Sequence, residues 1–143
     1  MILGMDINND YVGGEKVCCN FSVYSSNKFK RMIVPKKFKL LSYKLSLIQN
    51  DGIKDTRLIS VHGIDGIGAE TMARVDKELR LVIPLYGIFR SMYYFLRLDI
   101  SVEVNGTKKN IFKYQRVRLN DSIILKDETS NICLLYTSDA ADE

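Results

Sequence analysis

Tryptophan is absent from the 143-residue chain, which carries one histidine, three cysteines and two prolines. Each scarcity closes a class. With so few cysteines the chain is not a disulfide-dense mini-protein, and with two prolines and nine glycines it is not collagen-like. A hydrophobic share of 46% against 27% charged residues excludes a disordered tail. No long apolar run is unbroken. The most apolar stretch, residues 79–98, is interrupted by Arg80, Pro84, Arg90 and Arg97, which speaks against a transmembrane helix. The first ten residues have no basic segment and no apolar run, so they do not read as a signal peptide. What remains is one domain's worth of chain, long enough to bury a core.

Catalytic constellations are equally scarce. His62, the only histidine, stands beside Gly63 and reads as structural. No Cys or Ser can be paired with it from sequence, and no two carboxylates can be placed together. Cys18 and Cys19 are neighbours, so in a strand they point to opposite faces, and they lack the C-x-x-C spacing of redox or zinc sites. Asp6, Asn8 and Asp10 have the alternate spacing that opens a calcium loop. Tyr11 stands where that loop needs glycine, however, and Val17 where it needs a bidentate Glu. The expectation is therefore no catalytic residue, no metal site and no cofactor. The absence of a cysteine framework favours a reducing compartment, cytoplasmic or within a virion.

What is present is a period of two. Val17, Cys19, Phe21 and Val23 alternate with Cys18, Asn20, Ser22 and Tyr24. Leu41, Tyr43, Leu45 and Leu47 alternate with Ser42, Lys44 and Ser46. Asn50-Asp51-Gly52 supplies turn chemistry, with Arg57 to His62 as the return strand. Leu79, Leu81 and Ile83 form a strand ending at Pro84. The strongest element runs from Tyr94 to Val104, and Asn105-Gly106 turns it into a partner reaching Leu119. A loop of Asn105, Gly106 and Thr107 would set Ile100 opposite Phe112 and Leu98 opposite Tyr114. A two-residue loop would place Phe112 against Asp99 and Tyr114 against Arg97, so the three-residue loop is expected. A phase shift after Tyr114 predicts a bulge near Gln115-Arg116. Asn120-Asp121 reads as a further turn, and Ser122 to Lys126 as the start of a further strand. One segment, residues 69–78, is rich in helix formers. The fold expected is mainly β, a sandwich or barrel-like antiparallel sheet with one short helix at about 69–78, forming a single domain over residues 1–132.

Two features bear on partners. Ile64-Asp-Gly-Ile-Gly-Ala-Glu-Thr-Met-Ala-Arg-Val75 resembles the hairpin of the helix-hairpin-helix DNA-binding motif. The resemblance implies that Gly66 and Gly68 let backbone N–H groups meet a phosphate. Met72 replaces the usual Ala, Asp65 replaces Pro, and the preceding residues are β-branched. A glycine loop entering an ordinary helix accounts for the same residues. The second feature is basic: Lys28, Lys30, Arg31, Lys36, Lys37, Lys39 and Lys44 are interleaved with Phe29, Phe38 and Tyr43. Lys108, Lys109, Lys113, Arg116 and Arg118 follow later. Such a face can hold single-stranded nucleic acid or another polyanion, and it can equally be a solvated face.

The last eleven residues, Cys133 to Glu143, resemble the read-through translation of a sequencing adapter. If that string and its three acids are set aside, residues 1–132 carry 21 basic and 14 acidic side chains, a net charge of +7 instead of +4. The natural chain would then continue beyond Ile132. The functional expectation is a non-enzymatic binding or structural module for assembly or interaction, of the kind found in viral or phage structural parts, with a protein partner or self-assembly. The alternative is a nucleic-acid-binding domain using a basic β face and the Gly66–Gly68 turn.

Overall fold

The computed structural model describes residues 1–24, 26–29, 32–35, 37–64 and 70–120. Ten strands occupy them: β1 (Ile2–Asp6), β2 (Asp10–Val12), β3 (Lys16–Tyr24), β4 (Ser26–Phe29), β5 (Met32–Pro35), β6 (Lys39–Asn50), β7 (Asp55–Ile64), β8 (Arg74–Val82), β9 (Tyr93–Val104) and β10 (Thr107–Asn120). They form a three-stranded sheet β1-β3-β8, a five-stranded sheet β2-β10-β9-β6-β7 and the separate ribbon β4-β5. All pairings are antiparallel except that of β2 with β10.

The two larger sheets bury one core between them. Val17, Cys19, Phe21 and Val23 of β3 and Val75, Leu79 and Leu81 of β8 meet Leu45 and Leu47 of β6 and the Tyr94–Val104 row of β9. The rings of Phe21 and Tyr43 bridge the layers at 5.4 Å between centroids. Each fully buried Leu contributes roughly 1.5–3 kcal/mol relative to exposure. Those of β9 are inaccessible to solvent, so this strand, central in its sheet, anchors the fold.

Four sequence expectations are corrected. Among the described residues there is no helix: residues 74–78 of the segment expected to be helical form the first part of β8, and residues 79–82, where a strand is expected, form the rest. Their apolar positions pair with β3, Val75 against Val23, Leu79 against Cys19 and Leu81 against Val17, so core burial overrides local helix propensity. Arg74 with Asp76 and Glu78 with Arg80 form ion pairs at strand spacing on the exposed face.

The β9–β10 turn has two residues, Asn105 (φ 53°) and Gly106 (φ 76°), and Val104 pairs with Thr107. Positive φ at both turn positions gives the twist that matches a tight hairpin. Phe112 therefore faces Asp99, and Tyr114 faces Arg97. The pairing continues unbroken past Gln115-Arg116, without the expected bulge. In β6 the register shifts between Leu40 and Ser42, so Leu40 is the buried residue there and Leu41 only partly so. Gly66, Gly68, Lys30, Arg31, Lys36 and the strand expected over Ser122–Lys126 lie outside the described residues, as does the 133–143 string.

Candidate interaction face

Because side chains alternate across a strand, the row that faces the core in β9 fixes the opposite row as the outer face of the five-stranded sheet. That row is Tyr93, Phe95, Arg97, Asp99, Ser101 and Glu103. Its neighbours are Phe112, Tyr114 and Arg116 of β10 and Ser42, Lys44, Ser46 and Ile48 of β6. The two-residue turn sets charged and aromatic residues side by side, and they interlock. The Arg97 guanidinium lies 4.3 Å from the Phe112 centroid. The Phe112 and Tyr114 rings are parallel at 6.0 Å, and Tyr114 meets the edge of Phe95 at 5.8 Å. Farther along, Arg116 covers Tyr93 at 4.4 Å. Cation–π contacts of this kind contribute about 0.5–1 kcal/mol at exposed sites. Arg97 also pairs with Asp99, Nε to Oδ1 at 3.0 Å.

At the Tyr93 end, residues 83–92 connect β8 to β9 and expose Leu85, Tyr86 and Phe89, of which Tyr86 is 76% exposed. The segment is tied down nevertheless. The Phe89 N–H donates to the Tyr94 hydroxyl at 2.9 Å, which donates to Gln49 Oε1 at 3.0 Å. The Met92 N–H donates to the Phe89 carbonyl at 3.2 Å, and the Gly14 N–H to the Ile83 carbonyl at 2.8 Å. Gly14 (φ 84°) lies under Leu85, whose Cδ2 would be 2.9 Å from any added Cβ. A cleft of about 930 Å³ opens beside this segment, with Phe89, Arg90, Tyr93, Arg116 and Arg118 on its walls. Arg118 faces Asp10 at 3.6 Å.

At the other end of the face, a depression of about 640 Å³ lies over β6, β7, β9 and β10. Lys44, Arg57, His62, Asp99, Ser101 and Phe112 line it. Asp99 Oδ2 and the hydroxyls of Ser46 and Ser101 are buried without a hydrogen-bond partner among the described residues.

Of the residues singled out from sequence, the structure unites only some. Lys39, Lys44, Lys108, Arg116 and Arg118 share the outer face by register, while Lys109 and Lys113 point to the other side of β10. Lys113 Nζ donates to the Leu3 carbonyl at 3.4 Å. Lys28 belongs to β4, in the separate ribbon, Lys37 is exposed ahead of β6, and Lys39 stands opposite Glu103. The sequence reading passed over Tyr93, Phe95, Arg97, Phe112 and Tyr114 as a surface. The signal that finds them is the Asn-Gly turn, which fixes the register that brings them together.

Among the described residues no three His, Cys, Asp or Glu side chains converge as metal ligands, and no helix is long and apolar enough to cross a membrane. Burial, with a smaller contribution from Asp6, pushes the Cys19 thiol up to about 12, while Cys18 is exposed.

No family model and no curated protein matches the chain. Among solved structures it is similar to Spo0M, the sporulation control protein of Bacillus subtilis. The TM-score is 0.60 at 13% sequence identity, over 82% of this chain and 48% of that one. The chain thus spans about half the length of that structure, and at this identity the likeness is one of fold.

Proposed function

We propose that the chain is a non-enzymatic interaction module, and that it binds a partner protein through the arginine–aromatic end of its outer sheet face. The observation that carries this reading is the cluster of Phe89, Tyr93, Arg90, Arg116 and Arg118 around one cleft, beside the exposed Leu85 and Tyr86. Tyrosine and arginine dominate binding energy at protein interfaces, and residues 83–92 are held by hydrogen bonds before any partner arrives. Three arginines against the single Asp10 call for carboxylates around an apolar centre on the partner. A second copy meeting this patch about a two-fold axis would set like charges together, so a different protein is the occupant. The fold shared with a sporulation control protein supports a regulatory role for such a module.

The test is a photo-crosslinking residue at Phe89 in the protein's native cell, compared with one at Arg80 on β8 of the opposite sheet. The expected result is one protein adduct from Phe89 that does not form from Arg80. Equal adducts from both positions would overturn the reading.

A second reading has its own observation. The Phe95–Tyr114–Phe112 rings with Arg97, Arg116 and Lys44 make a cationic aromatic sheet surface that could stack bases and pair phosphates. It predicts affinity for single-stranded DNA or RNA that falls steeply with salt. Undetectable binding at low salt would remove it.

A further inference from the structure

We propose that β7, the outermost strand of the five-stranded sheet, takes up an extended segment of a partner protein as one more strand, a segment that alternates acidic and apolar residues. This edge lies across the sheet from β2 and the cleft near Arg118, and the proposal is independent of the partner assigned to that cleft. The terminal strands of the two sheets are not alike. β1 and β2 are short, with five and three residues. β8 has nine residues but carries Arg74, Asp76, Lys77, Glu78 and Arg80, and Lys77 stands opposite Phe21 on the row that faces the core. Short length, dense charge and an inward-facing lysine all keep an edge from pairing with another chain. β7 has none of these. It has ten residues, and from Leu58 to Ile64 it contains no Asp, Glu, Lys, Arg or Pro. Its register with β6 is regular from Ile59 to Ile64. Alternate N–H and C=O groups of such a terminal strand point away from the sheet, where an added strand pairs with them.

The two rows of β7 define what the added strand carries. Ile59 and Val61 face the core opposite Leu47 and Leu45, which are inaccessible, yet they are themselves only partly buried. Apolar residues on the matching row of a neighbour strand complete their cover. The outer row carries Arg57, Ser60 and His62, all exposed, with Lys44 of β6 opposite His62. Arg97 and Asp99 offset each other in an ion pair, and Asp55 at the start of β7 accepts a hydrogen bond from the Asn50 amide at 2.6 Å. Arg57 and Lys44 make no ion pair with a described residue. Carboxylates on the outer row of the added strand therefore meet uncompensated positive charge. A second copy of this chain fits less well. Two β7 strands paired antiparallel about Ser60 would gather both Arg57 and both Lys44 side chains on one outer face, with only the Asp99 carboxylates, already held by Arg97, against them.

The test is titration of the full chain into a fluorescent octapeptide of alternating valine and glutamate, read by polarisation. A valine–lysine octapeptide and the valine–glutamate sequence with its backbone nitrogens methylated are the comparisons. The valine–glutamate peptide should bind, the methylated form should not, and the lysine form should bind about tenfold more weakly or worse. On binding, amide hydrogen exchange should slow severalfold in residues 57–64 and stay unchanged in residues 83–92. Arg57→Glu should weaken the valine–glutamate peptide about tenfold and tighten the lysine form. Lys16→Glu makes the same change of charge at an exposed position of β3 in the other sheet and should leave both affinities within about twofold. Four results would overturn the proposal: no binding of the valine–glutamate peptide by the folded wild type at millimolar concentration, equal binding of the lysine form, protection of residues 83–92 in place of β7, or a dimer paired through β7 that the peptide does not disperse.

Discussion

Cys18 and Cys19 show how a shift of one position along a strand decides chemistry. Cys19 points into the core and is inaccessible, and burial raises its thiol to about 12, whereas Cys18 faces solvent. Since the thiolate is the reactive species, iodoacetamide at pH 8 should modify Cys18 and spare Cys19 in the folded protein, as peptide-resolved mass spectrometry would show. The same shift carries a pH dependence. The unfolded chain loses this proton near 9.0 and the folded chain only near 12, so the stability linked to Cys19 is fully present below pH 9 and falls as pH rises towards 12. Burial raises the Tyr11 hydroxyl too, in the same direction. Urea midpoints between pH 8 and 11 should therefore decline, and a Cys19→Ala variant, though less stable, should decline less steeply. Gly63 makes a different point. An added Cβ would sit 2.5 Å from the Tyr43 ring, so the close approach of β6 and β7 there depends on a bare backbone. Gly63→Ala should lower stability by about 1–3 kcal/mol, as overpacking does, and a smaller side chain at Tyr43 should recover part of that loss in denaturant unfolding.

Elements were legible in the sequence where burial and period agreed. The alternation in β3 and β9 stood out because one face of each strand is buried, and Asn105-Gly106 announced the hairpin joining β9 to β10. The register of that hairpin was misread because pairing apolar with charged residues looked unfavourable. Arg97 over Phe112 shows that the mixture is itself a packing solution, since a guanidinium lies flat on an aromatic ring. The first part of β8 reads as helix because Ala, Glu, Met and Lys favour helix locally, while Leu79, Leu81 and Ile83 read as a strand, and the pairing with β3 supplies the energy that decides the first part. β1, β2 and the β4–β5 ribbon are short and left no strong period. The turn gives a direct test. With φ of 53° and 76° at Asn105 and Gly106, Gly106→Val should destabilise the protein by roughly 1–2 kcal/mol, read from the urea midpoint, while Thr107→Val, just outside the turn, should have a much smaller effect.

For the whole molecule, the sandwich gives the five-stranded sheet two unlike faces. One face of the five-stranded sheet closes the core with β3 and β8, and the other carries arginines, aromatic rings and polar atoms that have no partner among the described residues. That face combines residues from β6, β9 and β10 that are distant in sequence, which is why composition pointed instead to the Lys28–Lys44 run. The run was legible as charge but not as a surface, because its described members fall on different elements. The central claim is that the cleft beside residues 83–92 is where a partner protein binds. The most direct measurement is the affinity of the protein crosslinked from Phe89 for wild type and for the Tyr93→Ala/Arg116→Ala double variant, with circular dichroism confirming that both are folded. The account predicts a loss of about thirtyfold or more, the level of a hot-spot pair. Binding within twofold of wild type by a correctly folded double variant would contradict it.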